Sequence, residues 1–356
     1  MRLPFQTEAV SSLEAERLQI EYGTDGVTTC DARIALELKY TELFHQSKFN
    51  RKLVSYQGNK NTKLHNWLKY KEGFSAQLVE NLLDDFGLTP GQKILDPFAG
   101  SATTLLVAQT KGLNAVGIEI LPVCHLAWEA KSNYPHYNLA AMLEIQTWLQ
   151  TTTAGLGEIP FPHIPITESA FPEDQEQKLM WYAGQLDTLI SDEKIKNLLR
   201  LMLMSILEDI SFTRKDGQYL RWDSRSTKAQ QRDQRRIDAD KAPYKTFFKG
   251  ELSDISDELL QAFNRILFDI KTMQNDVIEP AEQQLIEGSA LKVMPSLEPN
   301  QFDSVITSPP YCNRYDYTRT YALELAFLGL THQDVIDLRQ EQLSCTVENR
   351  SKLDQL

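Results

Sequence analysis

The run FDSVITSPPYCNRYDYTRTY, Phe302 to Tyr321, ends an apolar strand on a hydroxyl, two prolines and an aromatic ring. Neither proline can donate to a sheet ladder, so a strand over Ser304–Thr307 must stop there. The hydroxyl of Ser308 and the carbonyls of Ser308 and Pro309 are hydrogen-bond acceptors with no competing N–H beside them. Such a set suits an exocyclic amino group, a poor nucleophile because its lone pair is delocalised into the ring. Acceptors that take its N–H groups turn that lone pair toward an electrophile, and rigid prolines preorganise them. Pro310 completes the turn, and Tyr311 offers a face on which a base taken out of a duplex stacks. The plainer alternative is a proline-closed strand end with a surface tyrosine.

A second constellation lies in GLTPGQKILDPFAGSATTLLVAQTKGLNAVGIEILP. It reads as a strand over Lys93–Asp96, a small-residue turn Phe98-Ala99-Gly100-Ser101, a helix over about Ala102–Thr110, and a strand over Ala115–Ile120. That is the first half of a nucleotide-binding βαβ unit, with Asp96 beside the turn and Glu119 placed to accept from ribose hydroxyls. The turn has one glycine and a bulky Phe98, so it is not the phosphate-cradling G-x-G-x-x-G, and no P-loop lysine follows. The nucleoside implied has no pyrophosphate, and S-adenosylmethionine is the common cofactor of that kind.

The elements that must position these residues follow from periodicity. Helical spacing is expected through the first fifty residues, then a polar loop at SYQGNKNTKLHNW, then a helix in FSAQLVENLLDDFG with Ser75 as N-cap and Gly87 as stop. The long middle is mostly helical, with KIKNLLRLMLMSILEDI as its core helix. Four strands are legible, the last ending at Ser308. The expected class is α/β: a Rossmann-like sheet with a large, mostly helical insertion. The segments expected are 1–73, an N-terminal helical part; 74–130, the cofactor-binding half; 131–283, the insertion and possible target recognition; and 284–356, the catalytic-motif part.

Composition is that of a globular protein, 42% hydrophobic and 24% charged. No apolar run reaches membrane-spanning length and Met1-Arg2-Leu3-Pro4 begins no signal peptide, so a cytoplasmic setting is expected. Cys30, Cys124, Cys312 and Cys345 are scattered and form no metal-ligand pattern. The net charge of −12 conceals a segment, Ser211–Gly250, with eleven Lys/Arg against five Asp/Glu. A solvated charged loop is the bland reading of that segment. A phosphate-contacting one is the sharper reading, for Arg214–Arg236, with Tyr219 and Trp222 interleaved among its cations.

Together, DPFAGSATT, VGIEI, TSPPY and FSAQLVENLLDDFG resemble the motifs of the amino-methyltransferases of DNA, which modify cytosine N4 or adenine N6. The resemblance implies S-adenosylmethionine as cofactor and duplex DNA as substrate. It implies Phe74 and Ser75 at the methionine moiety, Asp96, Phe98, Gly100 and Ser101 at the cofactor turn, and Glu119 at the ribose. Ser308, Pro309, Pro310 and Tyr311 would hold the target base, and the serine form of the motif is the one typical of cytosine-N4 enzymes. Ser289 stands where the family commonly has an acid near the adenine amino group. Ala102 replaces a family glycine at a position read as needing no positive φ. Arg214, Lys215 and Arg221 are the candidate DNA contacts in the basic segment, and Arg314 and Arg319 those after the catalytic loop. The resemblance implies a Rossmann-like S-adenosylmethionine-dependent methyltransferase sheet, and four legible strands against the family's seven make it incomplete at the C-terminus, so that a second polypeptide or a continuation is expected to complete it.

Three rivals stand beside this reading. They are an adenine-N6 or RNA base methyltransferase, C5 methylation through Cys312 (disfavoured because Tyr311 separates it from the prolines), and a non-catalytic subunit of a split enzyme.

Overall fold

The computed structural model describes residues 39–40, 50–71, 73–216, 220–244, 247–276, 281–310 and 315–343. The chain divides into two units, 1–50 and 51–356. Of the first, Lys39, Tyr40 and Asn50 are described, and the Lys39 ammonium lies 5.7 Å from the Tyr40 ring centroid. The helices expected before residue 39 therefore lie outside the described residues, as do Tyr219, Tyr311, Cys312 and Arg314.

In the second unit, β1 (Lys93–Asp96), β2 (Asn114–Glu119), β5 (Gln283–Glu287) and β6 (Ser304–Val305) form a parallel sheet in the order β5-β2-β1-β6. Its registers are Ile94↔Ala115, Ile94↔Ser304 and Ala115↔Gln283. β1 and β2 are buried over nearly their whole length, as strands covered on both faces must be. The fourth strand pairs with β1, and among the described residues its other edge has no partner, leaving Val305 53% exposed.

Helix α1 (Ala76–Asp85) starts on Ser75, whose hydroxyl accepts from Leu78 N, and Gly87 follows it at φ +63°. Helix α2 (Thr103–Thr110) links β1 to β2. One apolar cluster joins α1 and α2 to the sheet through Val79, Leu83, Ile94, Leu105, Ala115 and Ile306. A larger one joins α3 (Pro122–Ser132) to α4 (Leu139–Thr151), α5 (Glu173–Leu189), α6 (Glu193–Ile206) and α8 (Ile255–Met273). The segment expected as core helix is α6, and eight of its side chains are buried. No helix among the described residues is long and apolar enough to cross a membrane.

Two expectations are corrected here. The polar stretch from Ser55 is packed rather than a surface loop: Leu64 and Trp67 are buried, and Leu64 N and Trp67 Nε1 donate to Asp269 of α8 at 3.2 and 2.9 Å. The basic segment, legible as aperiodic, is ordered. It holds an antiparallel hairpin, β3 (Thr213–Lys215) with β4 (Leu220–Trp222), and helix α7 (Thr227–Asp238), which Ser226 caps. Strands of three residues are too short to show a period. With Ala229 the one buried side chain of α7, that helix has no apolar stripe to read.

Candidate active site

Because the four strands are parallel, their carboxyl ends open along one edge of the sheet. A cleft there encloses about 780 Å³, its open mouth included. Each strand contributes to its wall: Pro97–Ser101 after β1, Glu119–Leu121 after β2, Gly288–Ala290 after β5, and Ser308 and Pro310 after β6. The two motif loops expected to meet therefore line one cavity.

Asp96 ties those loops together from behind. Its carboxylate accepts from Phe98 N at 3.2 Å, from Thr104 Oγ1 at 2.6 Å, and from the hydroxyl of Thr307, the residue before Ser308. Burial pushes its pKa up to about 6, against the lowering effect of those bonds. Asp96 itself does not line the cleft; it organises the loops that do.

Glu119 carries the one formal charge among the described residues lining the cleft. One carboxylate oxygen accepts from Gly100 N at 2.8 Å, the other from Ile120 N and Leu121 N at 2.8 and 2.9 Å. Burial raises its pKa. With three backbone donors satisfied, the carboxylate of this lining residue keeps one further acceptor position.

Gly100 sits at φ +52°, and a Cβ there would approach the Tyr70 ring to 2.9 Å. Tyr70 is buried and stacks on Tyr321 (5.2 Å) and Tyr317 (6.4 Å), so the turn lies against an aromatic wall. Ala102 corrects a sequence expectation: its φ of +62° and ψ of +34° are left-handed. The helix does not begin until Thr103, and residue 102 must still close the turn. The alanine therefore carries a backbone strain that glycine would not.

Phe74 lines the cleft, but Ser75 does not. Its hydroxyl is committed to Leu53 O at 2.7 Å and to the helix N-terminus. Asn59, which sequence reading left in a loop, fixes this corner: its amide donates to Phe74 O and accepts from Ala76 N, both at 2.9 Å. Ser289 lines the cleft at the start of α9 (Ala290–Val293). Gln342 and Leu343, just past helix α12 (His332–Glu341), also line it and were not foreseen. They are held there by Arg339 on Asp316 and by Lys292 on Glu341. No motif marks them, because they arrive through a helix packed far along the chain.

Of the residues expected to hold the target base, Ser308 and Pro310 line the cleft and Pro309 is exposed beside it. Arg214 and Arg221 lie opposite each other on the exposed face of the hairpin. Arg319 is half-buried and pairs with Asp316 at 3.3 Å. Lys215 is the clear correction. It points the other way, is buried, and donates to the buried Glu324 while its ammonium lies 4.8 Å from the Tyr321 ring. A cation so enclosed does not reach a phosphate.

A family model described as DNA methylase matches residues 28–129. The Type II methyltransferase M.BsoBI of Geobacillus stearothermophilus is 49% identical over 327 residues, covering 91% of this chain and 64% of that protein. M.AvaI of Nostoc sp. is 35% identical over 368 residues, covering 98% of this chain and 72% of that protein. The chain thus spans roughly two thirds of the length of these relatives. No solved structure matches it. With the motifs converging on one cleft and relatives aligned over nearly all its length, the chain belongs to the N4/N6 DNA methylase family.

Proposed function

We propose that this chain carries the reaction centre of a DNA methyltransferase that moves a methyl group from S-adenosylmethionine to the exocyclic N4 of cytosine in duplex DNA. The observation that carries the reading is the meeting of Ser308 with Glu119 and Gly100 around one cavity. The Type II names of the relatives support a restriction-modification setting.

The lining fits a nucleoside cofactor without phosphates. Among the described residues it offers a carboxylate and no lysine, arginine or histidine, and a turn too tight at Gly100 to admit a side chain. When bound, the cofactor supplies an electrophilic methyl on a sulfonium centre. Glu119 has an acceptor position left for a ribose hydroxyl, and Phe98, Ile120 and Leu121 give apolar walls for an adenine ring. Phe74 and Tyr70 present aromatic faces suited to a cationic sulfonium. Ser308 and the carbonyls of Ser308 and Pro309 accept the amino N–H groups, Pro310 keeps those carbonyls rigid, and Tyr311 stacks the base. Holding nitrogen and methyl in line supplies much of the rate. Arg214, Arg221, Arg314 and Arg319 hold the duplex, and Ser308 favours cytosine over adenine. Further strands, on this polypeptide or a second, would add at the open edge of β6.

The test is incubation with tritiated cofactor and duplex DNA, followed by digestion and identification of the labelled nucleoside. N4-methylcytosine is the expected product. N6-methyladenine would correct the base, label in transfer RNA would correct the substrate, and cofactor binding without transfer would return the split-subunit reading.

A further inference from the structure

Helix α7 arranges its cations in a way its sequence alone conceals. Lys228, Arg232, Arg235 and Arg236 are spaced so that all four fall on one face, with Asp233 and Asp238 flanking the stripe. Ala229 anchors the helix, Lys228, Arg232, Asp233 and Arg236 are half-buried, and the other side chains are exposed; Arg232 pairs with Asp233 at 3.1 Å and Lys228 donates to Pro165 O. The stripe is about 12 Å long at 1.5 Å per residue, enough to span about three phosphates of one DNA strand.

Aromatic rings brace these side chains. The Arg232 and Arg236 guanidinium carbons lie 4.8 and 4.0 Å from the Tyr244 ring centroid, and the Lys228 ammonium lies 5.2 Å from that of Trp222. Arg236 also donates to Ala242 O at 2.7 Å. Tyr244 is 52% exposed, so the cation–aromatic stack faces solvent rather than the core. Holding long cations extended costs side-chain entropy in the free protein and lowers the cost of engaging a partner. Arg235 is exposed and makes no hydrogen bond or ion pair among the described residues.

The neighbouring hairpin makes the same demand. Arg214 and Arg221 are register partners on its exposed face, a like-charge opposition that the pairing of Arg221 with Asp216 relieves only on one side. Both features sit in the positive segment of a chain whose net charge is −12. A surface that keeps its cations extended, opposed and solvent-facing fits a polyanion of regular spacing.

We infer that the α7 stripe, with Tyr244, is a backbone-tracking contact for duplex DNA, separate from the reaction cleft. The inference rests on the proposed DNA substrate and names where, beyond the hairpin, the duplex is held. Such contacts position the duplex and do not read its sequence.

The test is equilibrium binding of a fluorescent duplex to the full chain across a salt series, for wild type, Arg235→Gln, Arg235→Gln/Arg236→Gln and Arg235→Lys. Each lost phosphate contact should flatten the log–log salt slope by about 0.9. The double variant should therefore lose about 2 from the slope, in every duplex sequence tried, while cofactor affinity stays at the wild-type value. Arg235→Lys should keep the slope. Arg235 is exposed and unpartnered, so Arg235→Gln carries no folding penalty that could imitate the effect, and a thermal melt of the double variant reads the loss of the Arg236 bond to Ala242 O separately. A slope unchanged in Arg235→Gln and in the double variant overturns the inference, including in favour of an acidic protein as the partner. Failure of the proposed reaction shows separately, as no label transferred by the wild type.

Discussion

Glu119 accepts the backbone N–H of Gly100 at 2.8 Å, so the end of β2 fixes the turn that follows β1. Replacing Glu119 by glutamine puts an amide N–H₂ against one of three backbone donors and removes the charge. Loss of a charge-assisted bond costs about 1.5–3 kcal/mol. Affinity for S-adenosylmethionine should fall by about tenfold or more, with a lowered melting temperature. Isothermal titration and a thermal scan measure both. An unchanged dissociation constant would remove Glu119 from the cofactor site.

The raised pKa of Asp96 predicts a pH dependence with a definite sign. Its native value is about 6, against 3.8 for the ordinary carboxyl. Between those pH values the native state keeps a proton that the unfolded chain has released. Its contribution to stability therefore declines as pH rises from about 4 to 6 and is flat above, by about 3 kcal/mol in all. Urea unfolding of wild type and Asp96→Asn at several pH values should show their difference shrinking by that order across the window. A difference independent of pH would contradict it.

Ala102 sits in left-handed backbone with its methyl fully buried. Ala102→Gly relieves about 1 kcal/mol of strain and loses about 0.8 kcal/mol of methyl burial, so its stability should stay within about 1 kcal/mol of wild type. Ala102→Val adds a β-branched side chain where both φ and packing refuse it, and should cost about 2–3 kcal/mol. Thermal melts decide, and a valine variant as stable as wild type would count against the geometry.

The buried pair of Lys215 and Glu324 predicts a non-additive result. Removing one partner, as in Lys215→Met, leaves a charge buried alone and should cost about 3–5 kcal/mol. Lys215→Met with Glu324→Leu should recover most of that loss. The double variant should also keep the wild-type salt slope for DNA, since neither group faces solvent. A slope reduced by about 1 would return Lys215 to the DNA surface.

The chemistry of this chain was legible because it sits at strand ends. Lys93–Asp96, the small-residue turn, Glu119 and Ser308 are local patterns, and a parallel sheet brings strand ends together without further instruction. What was hidden depends on distant partners. Ala102 looked like a helix start because a helix does begin beside it, and its backbone angle is set by closure of the turn. Lys215 looked like its neighbours Arg214 and Arg221, and alternation over a three-residue strand sends it inward. Tyr70, Asn59 and Gln342 reach the site from segments whose own patterns say nothing of a ligand. The residues of α7 share a face that becomes visible once the helix is known to exist.

The close fit between Gly100 and the ring of Tyr70 has a practical consequence. The aromatic ring fills the volume that a side chain on the turn would need, so the two positions form a lock-and-notch pair. Shortening Tyr70 to alanine would leave a hollow behind the turn. That hollow would remove the steric bar to a side chain at residue 100 and leave the left-handed backbone there as the remaining cost.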